Sequence, residues 1–367
     1  MKKNNTTPRS RKGTARKAGP ITIGMDLGDK SSRYCVLEEN GEVQAEASVA
    51  TTKKAMLQKF AGLKRCRIAI EVGTHSPWVS RLLKHLGYEV IVANARQVKL
   101  ISQSSRKNDR MDARTLARLV RVDPQLLSPI QHRSEQAQQH LARIRVRAAL
   151  VEARTKLVNA ARGFSKAQGE RLPTRDAAAM GVEEMTELPA GLQEVLRPLL
   201  EQVESLTDQI QKADVELEQI ARAEYPETAL LRQVKGVGLL IALTFVLTLD
   251  DHERFQKSRD AGCYVGLRPR QRESGASQPQ LRITKEGDRY LRTLLVQGAH
   301  HILGWRGPDT DLRRWGLKLA SRGGKNAKKR AIVAVARKLA VLLHRLWATG
   351  EVYEPLRNSG VTATQAA

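Results

Sequence analysis

Between residues 21 and 119 the apolar segments change period in one fixed order, and that order leaves few folds open. Ile21 and Ile23 alternate ahead of Met25, Asp26, Leu27 and Gly28, the period of a strand. Tyr34 and Val36 mark a second strand, Asn40-Gly41 is a strong hairpin signal, and residues 42–49 resume as a third strand. A short helix follows over 53–60. Residues 66–72 form a compact apolar strand carrying Glu71 near its end. Pro77 opens the next helix, which runs to Leu86 and is stopped by Gly87. Residues 88–93 read as a strand and 94–101 as a helix. Last comes the stretch KNDRMDARTLARL, residues 107–119, as another helix.

Three strands, helix, strand, helix, strand, helix is the order of a ribonuclease-H-like (RuvC-like) α/β fold. In that topology Asp26 on the first strand, Glu71 at the end of the fourth, and Asp109 and Asp112 on the last helix converge at one edge of the sheet. Asp109 and Asp112 are three residues apart and share one helix face. Two carboxylates side by side repel, which a divalent cation between them relieves. The same spacing also suits a solvated pair neutralised by Lys107, Arg110 and Arg114. Asp26 has its own plainer reading as a turn-capping residue, with Gly28 and Asp29 following at once. Glu71 has one as a strand-end acid paired with a nearby Lys or Arg. All four acids at topologically matched places favour a metal site. Four carboxylates suit two hard divalent cations about 3.5–4 Å apart. Oxygen ligands favour magnesium or manganese over zinc, and no cluster of His or Cys competes.

The chain has 367 residues and a formal net charge of +25, too basic for an ordinary enzyme of small molecules. Such a balance points to a polyanion, most simply nucleic acid, rather than to a solvated basic surface or a membrane surface. Aromatics make up only 4%, which excludes an extensive base-stacking surface. Cys35, Cys66 and Cys263 form no CxxC pair, so neither a zinc ribbon nor a disulfide framework is supported. The basic tail, residues 1–20, has no apolar h-region and is not a secretory signal; it reads as a phosphate-contacting arm or a solubilising tail. The longest nearly apolar run, 237–249, is too short to span a bilayer. A cytoplasmic, nucleoid-associated bacterial protein is expected, with no membrane partner.

Residues 131–169 are helical and basic, with Leu141, Ile144, Ala148, Val151 and Val158 as an apolar stripe. After a break, Leu199, Val203, Leu206, Ile210, Ala213, Leu217 and Ile220 alternate four and three apart, the repeat of a coiled coil. Leu192 and Leu196 extend the register, but Pro198 is expected to start or kink that helix. An antiparallel helix pair follows, either joining subunits or closed within one chain. Gly236-Val237-Gly238 reads as a helix-hairpin-helix-like turn offering backbone N–H groups to a phosphate, or as a plain tight turn. Residues 266–280, GLRPRQRESGASQPQ, are a loop in which Ser274 stands beside Arg268, Arg270 and Arg272. That serine is a candidate nucleophile on phosphorus with arginines stabilising the developing charge, or a turn serine. In the last helix Ile332, Val335, Leu339, Leu342 and Leu346 face inward. Lys325, Lys328, Lys329, Arg330, Arg337 and Lys338 line a phosphate track or a solvated face. The expected divisions are a tail (1–20), an acid-bearing domain (21–128), a helical coiled-coil region (129–224), a mainly α C-terminal domain (225–350) and a tail (351–367).

The segments GMDLGDKS, AIEVGTHSPW, VANARQVK, KNDRMDARTLARL, VKGVG, GLRPRQRESG, ITKEGDRYLRTLLVQ and NAKKRAIVAVARKLA occur in an order and spacing that resemble the DEDD transposases of insertion-sequence family 110. The resemblance covers nearly the whole chain beyond the basic tail. It implies a RuvC-like domain whose Asp-Glu-Asp-Asp set is matched by Asp26, Glu71, Asp109 and Asp112 and takes Mg2+, or Mn2+. It also implies a C-terminal transposase domain whose serine, matched by Ser274, attacks a DNA phosphate to give a phosphoserine intermediate. Acids and serine would come from different subunits of a homodimer or homotetramer acting on donor and target DNA. Some such proteins are guided by a noncoding RNA from their own element. The expectation is a DNA recombinase. The alternatives are a metal-only nuclease or Holliday-junction resolvase, and a non-catalytic nucleic-acid-binding protein.

Overall fold

The computed structural model describes residues 21–94, 109–272, 277, 279 and 281–358, with the side chains of 109–111 outside that set. The chain divides into two compact units, Met1–His132 and Arg133–Ala367.

The first unit is built on a five-stranded mixed sheet: β1 (Thr22–Asp26), β2 (Ser31–Leu37), β3 (Val43–Ala50), β4 (Arg67–Glu71) and β5 (Glu89–Ala93). Their spatial order is β3-β2-β1-β4-β5. β1 is antiparallel to β2 and β2 to β3, whereas β1, β4 and β5 run parallel. The order of strands and helices along the chain is the one the sequence pattern implied. The helices α1 (Lys53–Phe60), α2 (Ser76–His85) and α3 (Asp109–Val122) fall where the apolar period changes. From residue 95 on, the helix expected over 94–101 lies outside the described residues.

Strand alternation divides the sheet between two cores. On one face Ile23, Met25, Ile68, Ile70, Val90 and Val92 are buried with Met56 and Phe60 of α1 and Val79 and Leu83 of α2. On the other face the strands are small-residued, and α3 lies close. A methyl group built on Gly24 would collide with the Ala113 carbonyl oxygen and the Ala117 amide nitrogen of α3. Ala69 and Ala93 join Leu116, Val120 and Leu127 in one buried cluster, and Cys35 and Leu37 join Ala113 and Ala117 in another.

The second unit begins with two long helices, α4 (Glu135–Ala167) and α5 (Ala190–Glu224). They run antiparallel: Arg143 pairs with Glu216, Arg147 Nε lies 2.8 Å from Asp214, and Arg154 Nη1 donates to Thr207 Oγ1 at 3.2 Å. Numbers rise along one helix as they fall along the other. Leu192, Leu196, Leu200, Val203, Leu206, Ile210 and Leu217 of α5 are buried. Of the expected repeat, Leu199, Ala213 and Ile220 are only half-buried, and Leu200 and Ala221 take inward places instead. Of the start or kink expected at Pro198, the start is corrected: α5 starts at Ala190 and continues through Pro198, its third turn, to Glu224. The proline removes one backbone donor, and the buried stripe on both sides of it holds the helix together. The connection between the helices folds back, so that Leu172, Met180, Met185 and Leu188 close a separate cluster over Val158, Leu192 and Leu196.

Beyond α5 the chain forms α6 (Glu227–Leu231), α7 (Leu239–Leu249), α8 (Ser258–Tyr264), α9 (Arg289–Leu303), α10 (Asp311–Ala320) and α11 (Ala327–Thr349). Every residue of α7 from Ile241 to Leu249 is buried. The apolar run of the sequence is therefore the central helix of this core, packed against α9 and α11. Among the described residues no helix is long and apolar enough to cross a membrane.

Candidate active site and nucleic-acid interface

Backbone register assembles the acid end of the first unit. β1 and β4 pair in parallel with Met25 opposite Ile70, so the next pair in register is Asp26 beside Glu71, the last residue of each strand. Neighbouring strands are about 4.8 Å apart, and register partners project to the same face. That face is the one α3 covers. Arg67 Nη1 donates to the Val120 carbonyl at 3.3 Å, while Gly24 lies beneath Ala113 and Ala117. The helix thus runs opposite to β1 and β4, and its first turn, with Asp109 and Asp112, overhangs the strand ends that carry Asp26 and Glu71. Asp26, Glu71 and Asp112 are all half-buried.

Two turns hold the strand-end acids in place. After Asp26, the buried Thr51 hydroxyl donates to the Gly28 carbonyl at 2.8 Å and shares a 2.8 Å hydrogen bond with Ser32 Oγ. After Glu71, Ser76 Oγ donates to the Gly73 carbonyl at 2.8 Å, accepts from the Gly73 amide at 3.0 Å, and lies 3.0 Å from His132 Nε2. His75 Nε2 reaches Asp29 Oδ1 across the two turns at 3.5 Å. Reading the sequence for charged groups passed over Thr51 and Ser76. The only signal for Ser76 was the segment GTHSPW, in which it precedes a helix-opening proline. Of the three cations considered as neutralisers of the Asp109/Asp112 pair, Arg114 binds Glu46 of β3, with Nη2 2.6 Å from Oε1. Lys107 and the side chain of Arg110 lie outside the described residues.

The donor set fits a hard divalent cation by its chemistry. The two thiols of the first unit offer no competing thiolate. Burial, then the charge of Glu46, pushes Cys35 up, and burial pushes Cys66 up to about 11. Oxygen alone is on offer, which suits Mg2+ or Mn2+. Among the described residues no three His, Cys, Asp or Glu side chains stand close enough to hold a metal ion. The backbone brings three elements bearing acids together, and the side chain of the fourth acid, Asp109, lies outside the described residues.

The second unit contains a large basic groove of about 1180 Å3. One wall is the base of the Arg-rich loop. Arg270 N donates to the Arg282 carbonyl at 2.9 Å and Thr284 N to the Arg268 carbonyl at 2.8 Å, pinning 268–270 against 282–284 as a short antiparallel ladder. Leu267 and Pro269 line the groove. By alternation Arg268 and Arg270 belong to the opposite face, and they are exposed, as is Arg272. Ser274, between the two arms of this ladder, lies outside the described residues. Arg282 and Lys285 complete this wall, and Arg322 and Lys325 stand on the segment joining α10 to α11. Lys329, Arg330, Arg337 and Lys338 of α11 form the opposite side. Of the residues expected to track phosphate, Lys325, Lys329, Arg330, Arg337 and Lys338 therefore share one groove, while Lys328 is exposed outside its described lining. Arg282, Lys285 and Arg322 were not legible as members, because they come from two other segments. Trp315 of α10 also faces the groove, with Lys338 Nζ 4.3 Å from its ring centroid.

The Gly236 turn between α6 and α7 has φ +92°, and a methyl group there would press on Ile302 and the Gly298 carbonyl of α9. That side of the turn is a packing surface.

Residues 23–164 match the profile of the IS110-type DEDD transposases, described as a transposase, and residues 228–313 match one described as the transposase IS116/IS110/IS902 family. A probable family 20 transposase of Pseudomonas aeruginosa is 29% identical over 91% of this chain and 98% of its own length. The transposase for insertion sequence element IS1111A of Coxiella burnetii is 29% identical over 90% of each chain. The transposase for insertion sequence element IS1328 of Yersinia enterocolitica is 30% identical over 76% of this chain and 82% of its own. With an acid-bearing sheet in the segment matched by the first profile and the Arg-rich loop in the segment matched by the second, the chain belongs to the IS110 family of insertion-sequence transposases, enzymes that cut and rejoin DNA.

Proposed function

We propose that the protein excises and integrates its insertion sequence by serine-mediated strand exchange at a site whose metal ligands are Asp26, Glu71, Asp109 and Asp112. Ser274 Oγ attacks a backbone phosphorus of DNA. The serine O–P bond forms as the bond from phosphorus to one deoxyribose oxygen breaks; the serine gives up its proton and the departing oxygen takes one up. A hydroxyl of the incoming strand then attacks the phosphoserine and restores the serine. One ester is made for each broken, so no external energy source is needed. The four acids hold Mg2+, or Mn2+, which when bound offsets charge on the phosphoryl group and the leaving oxygen. Arg268, Arg270 and Arg272 flank the serine and neutralise the same charge. Lys325, Lys328, Lys329 and Arg330 contact nucleic acid phosphates, and the Gly236 turn offers backbone N–H groups to another.

In the same reading α4 and α5 form a coiled coil that joins subunits, and acids and serine of one site come from different copies of a dimer or tetramer. An element-encoded noncoding RNA pairs with donor and target DNA. Support for these steps is the resemblance of the eight sequence segments and the basic charge. The single observation that carries the catalytic proposal is the parallel register that sets Asp26 beside Glu71 under the first turn of α3.

Strand exchange on a plasmid bearing the element tests it. Ser274→Ala, Asp26→Asn and Asp112→Asn should each abolish exchange while leaving nucleic-acid binding within about twofold. Exchange by Ser274→Ala contradicts the serine mechanism. Cleavage that survives in Ser274→Ala but not in Asp112→Asn identifies the metal-only nuclease instead.

A further inference from the structure

The groove between the Arg-rich loop and α11 has a composition that a duplex-tracking surface does not need. Its described lining carries eight lysines and arginines and no aspartate or glutamate. Beneath them lie apolar residues: Leu267, Leu281, Ile283, Trp315, Leu319 and Val341. Its volume of about 1180 Å3 lies just above the range of about 300–1,000 Å3 typical of small-ligand pockets. A duplex turns phosphates and sugar edges outward and keeps the faces of its bases stacked inside. It gives an apolar floor nothing to cover, and one of its turns is far too large for this volume. An unpaired strand offers both halves of the match, phosphates for the cationic rim and open base faces for the floor.

We propose that this groove binds a short unpaired stretch of nucleic acid, a few nucleotides long. The assignment rests on the strand-exchange reading for its biological use, but not for its chemistry. Lys325 and Lys329 on α11 and its approach hold phosphates at the mouth, with Arg322. Trp315, which lines the groove with Lys338 Nζ 4.3 Å from its ring centroid, receives a base at the floor. Arg282 and Lys285 add two further cations along the wall. Whether the stretch is DNA opened at the crossover or an unpaired part of an RNA is a matter of source, since phosphates and bases are common to both.

The test uses the full-length protein carrying Asp112→Asn, without added metal, so that binding is read apart from chemistry. Labelled eight-nucleotide oligothymidylate, oligouridylate and a blunt duplex of equal length are titrated by fluorescence anisotropy. The exposed residues Arg322, Lys325 and Lys329 are changed together to Glu. Affinity for at least one unpaired oligonucleotide should fall by about tenfold or more, while duplex affinity falls less than about threefold. The arm that loses more names the source. In the milder Arg322→Gln, Lys325→Gln, Lys329→Gln protein, the slope of log affinity against log salt for that oligonucleotide should fall by about 2. Trp315→Phe should remove most of the quenching of intrinsic fluorescence that the oligonucleotide produces. Parallel losses for duplex and unpaired strands, or no loss for either unpaired strand, would overturn the assignment. Circular dichroism of each variant separates misfolding from lost binding, and the Gln set stands in for the Glu set if the latter unfolds. A wild-type protein that recombines yet fails this test overturns the groove alone. One that passes it while Ser274→Ala still recombines overturns the serine reading alone.

Discussion

At the scale of single residues, the acid site depends on side chains with no chemistry of their own. Gly24 lets α3 rest on β1, because a Cβ there would strike the α3 backbone. Gly24→Ala is expected to cost about 1–3 kcal/mol by overpacking and to lift the first turn of α3 off the strand ends. Urea unfolding measures the first effect, and strand exchange should fall along with it. A second residue-scale prediction concerns pH. His344 is buried, its Nδ1 3.1 Å from Ser258 Oγ and its Nε2 3.1 Å from the His252 carbonyl. Burial holds its pKa below the ordinary value of 6.5, with the His252 carbonyl only partly opposing. The folded protein therefore binds this proton less readily than the unfolded chain. Its contribution to stability is full above about pH 6.5 and is lost as pH falls below that value. The difference in unfolding midpoint between about pH 7.5 and pH 5.5 should be smaller in His344→Gln than in the wild type. An equal difference in both would assign the pH dependence to other groups.

At the scale of elements, packing decides what local preference leaves open. Of the helix start or kink that Pro198 argued for, the start is overturned: α5 runs from Ala190 to Glu224. The apolar stripe that includes Leu192, Leu196, Leu200 and Val203 outweighs one missing backbone bond, and this competition is not readable from the proline alone. Leu200→Ala should cost about 2–5 kcal/mol by leaving a cavity in that stripe. The start of α9 offers a cleaner separation of effects. Asp288 accepts from the Leu291 amide at 2.8 Å as its N-cap, and both its oxygens bind Arg145 Nη2 of α4, at 2.8 and 2.7 Å. Asp288→Ala should destabilise by about 1–2 kcal/mol, and Asp288→Asn, which keeps a capping oxygen but loses the charge, by less. Equal losses in urea unfolding would place the whole effect in the ion pair.

At the scale of the whole molecule, the succession of strands and helices along the first unit and the rough positions of the acids were legible in the sequence. Period-2 segments, Asn40-Gly41 and the placement of Asp26, Glu71, Asp109 and Asp112 sufficed. Register was not legible: that Asp26 and Glu71 are neighbours across β1 and β4 follows from the pairing of Met25 with Ile70, which no single segment encodes. The groove was legible only in part. Lys325, Lys329 and Arg330 stand together on one basic stretch, whereas Arg282, Lys285 and Trp315 reach it from elements far apart in the chain. Thr51 and Ser76 escaped notice because a buried hydroxyl bonding to a backbone carbonyl leaves no charge or periodic pattern.

The proposed joint action of four acids and a distant serine on one phosphate requires a covalent intermediate. Purified protein is incubated with element-end DNA and Mg2+, quenched in denaturant, and digested for peptide mapping by mass spectrometry. A nucleotide ester is predicted on Ser274, absent in the Asp112→Asn protein and absent when the metal is chelated. An adduct on another residue, or one on Ser274 that persists in Asp112→Asn without metal, would contradict it.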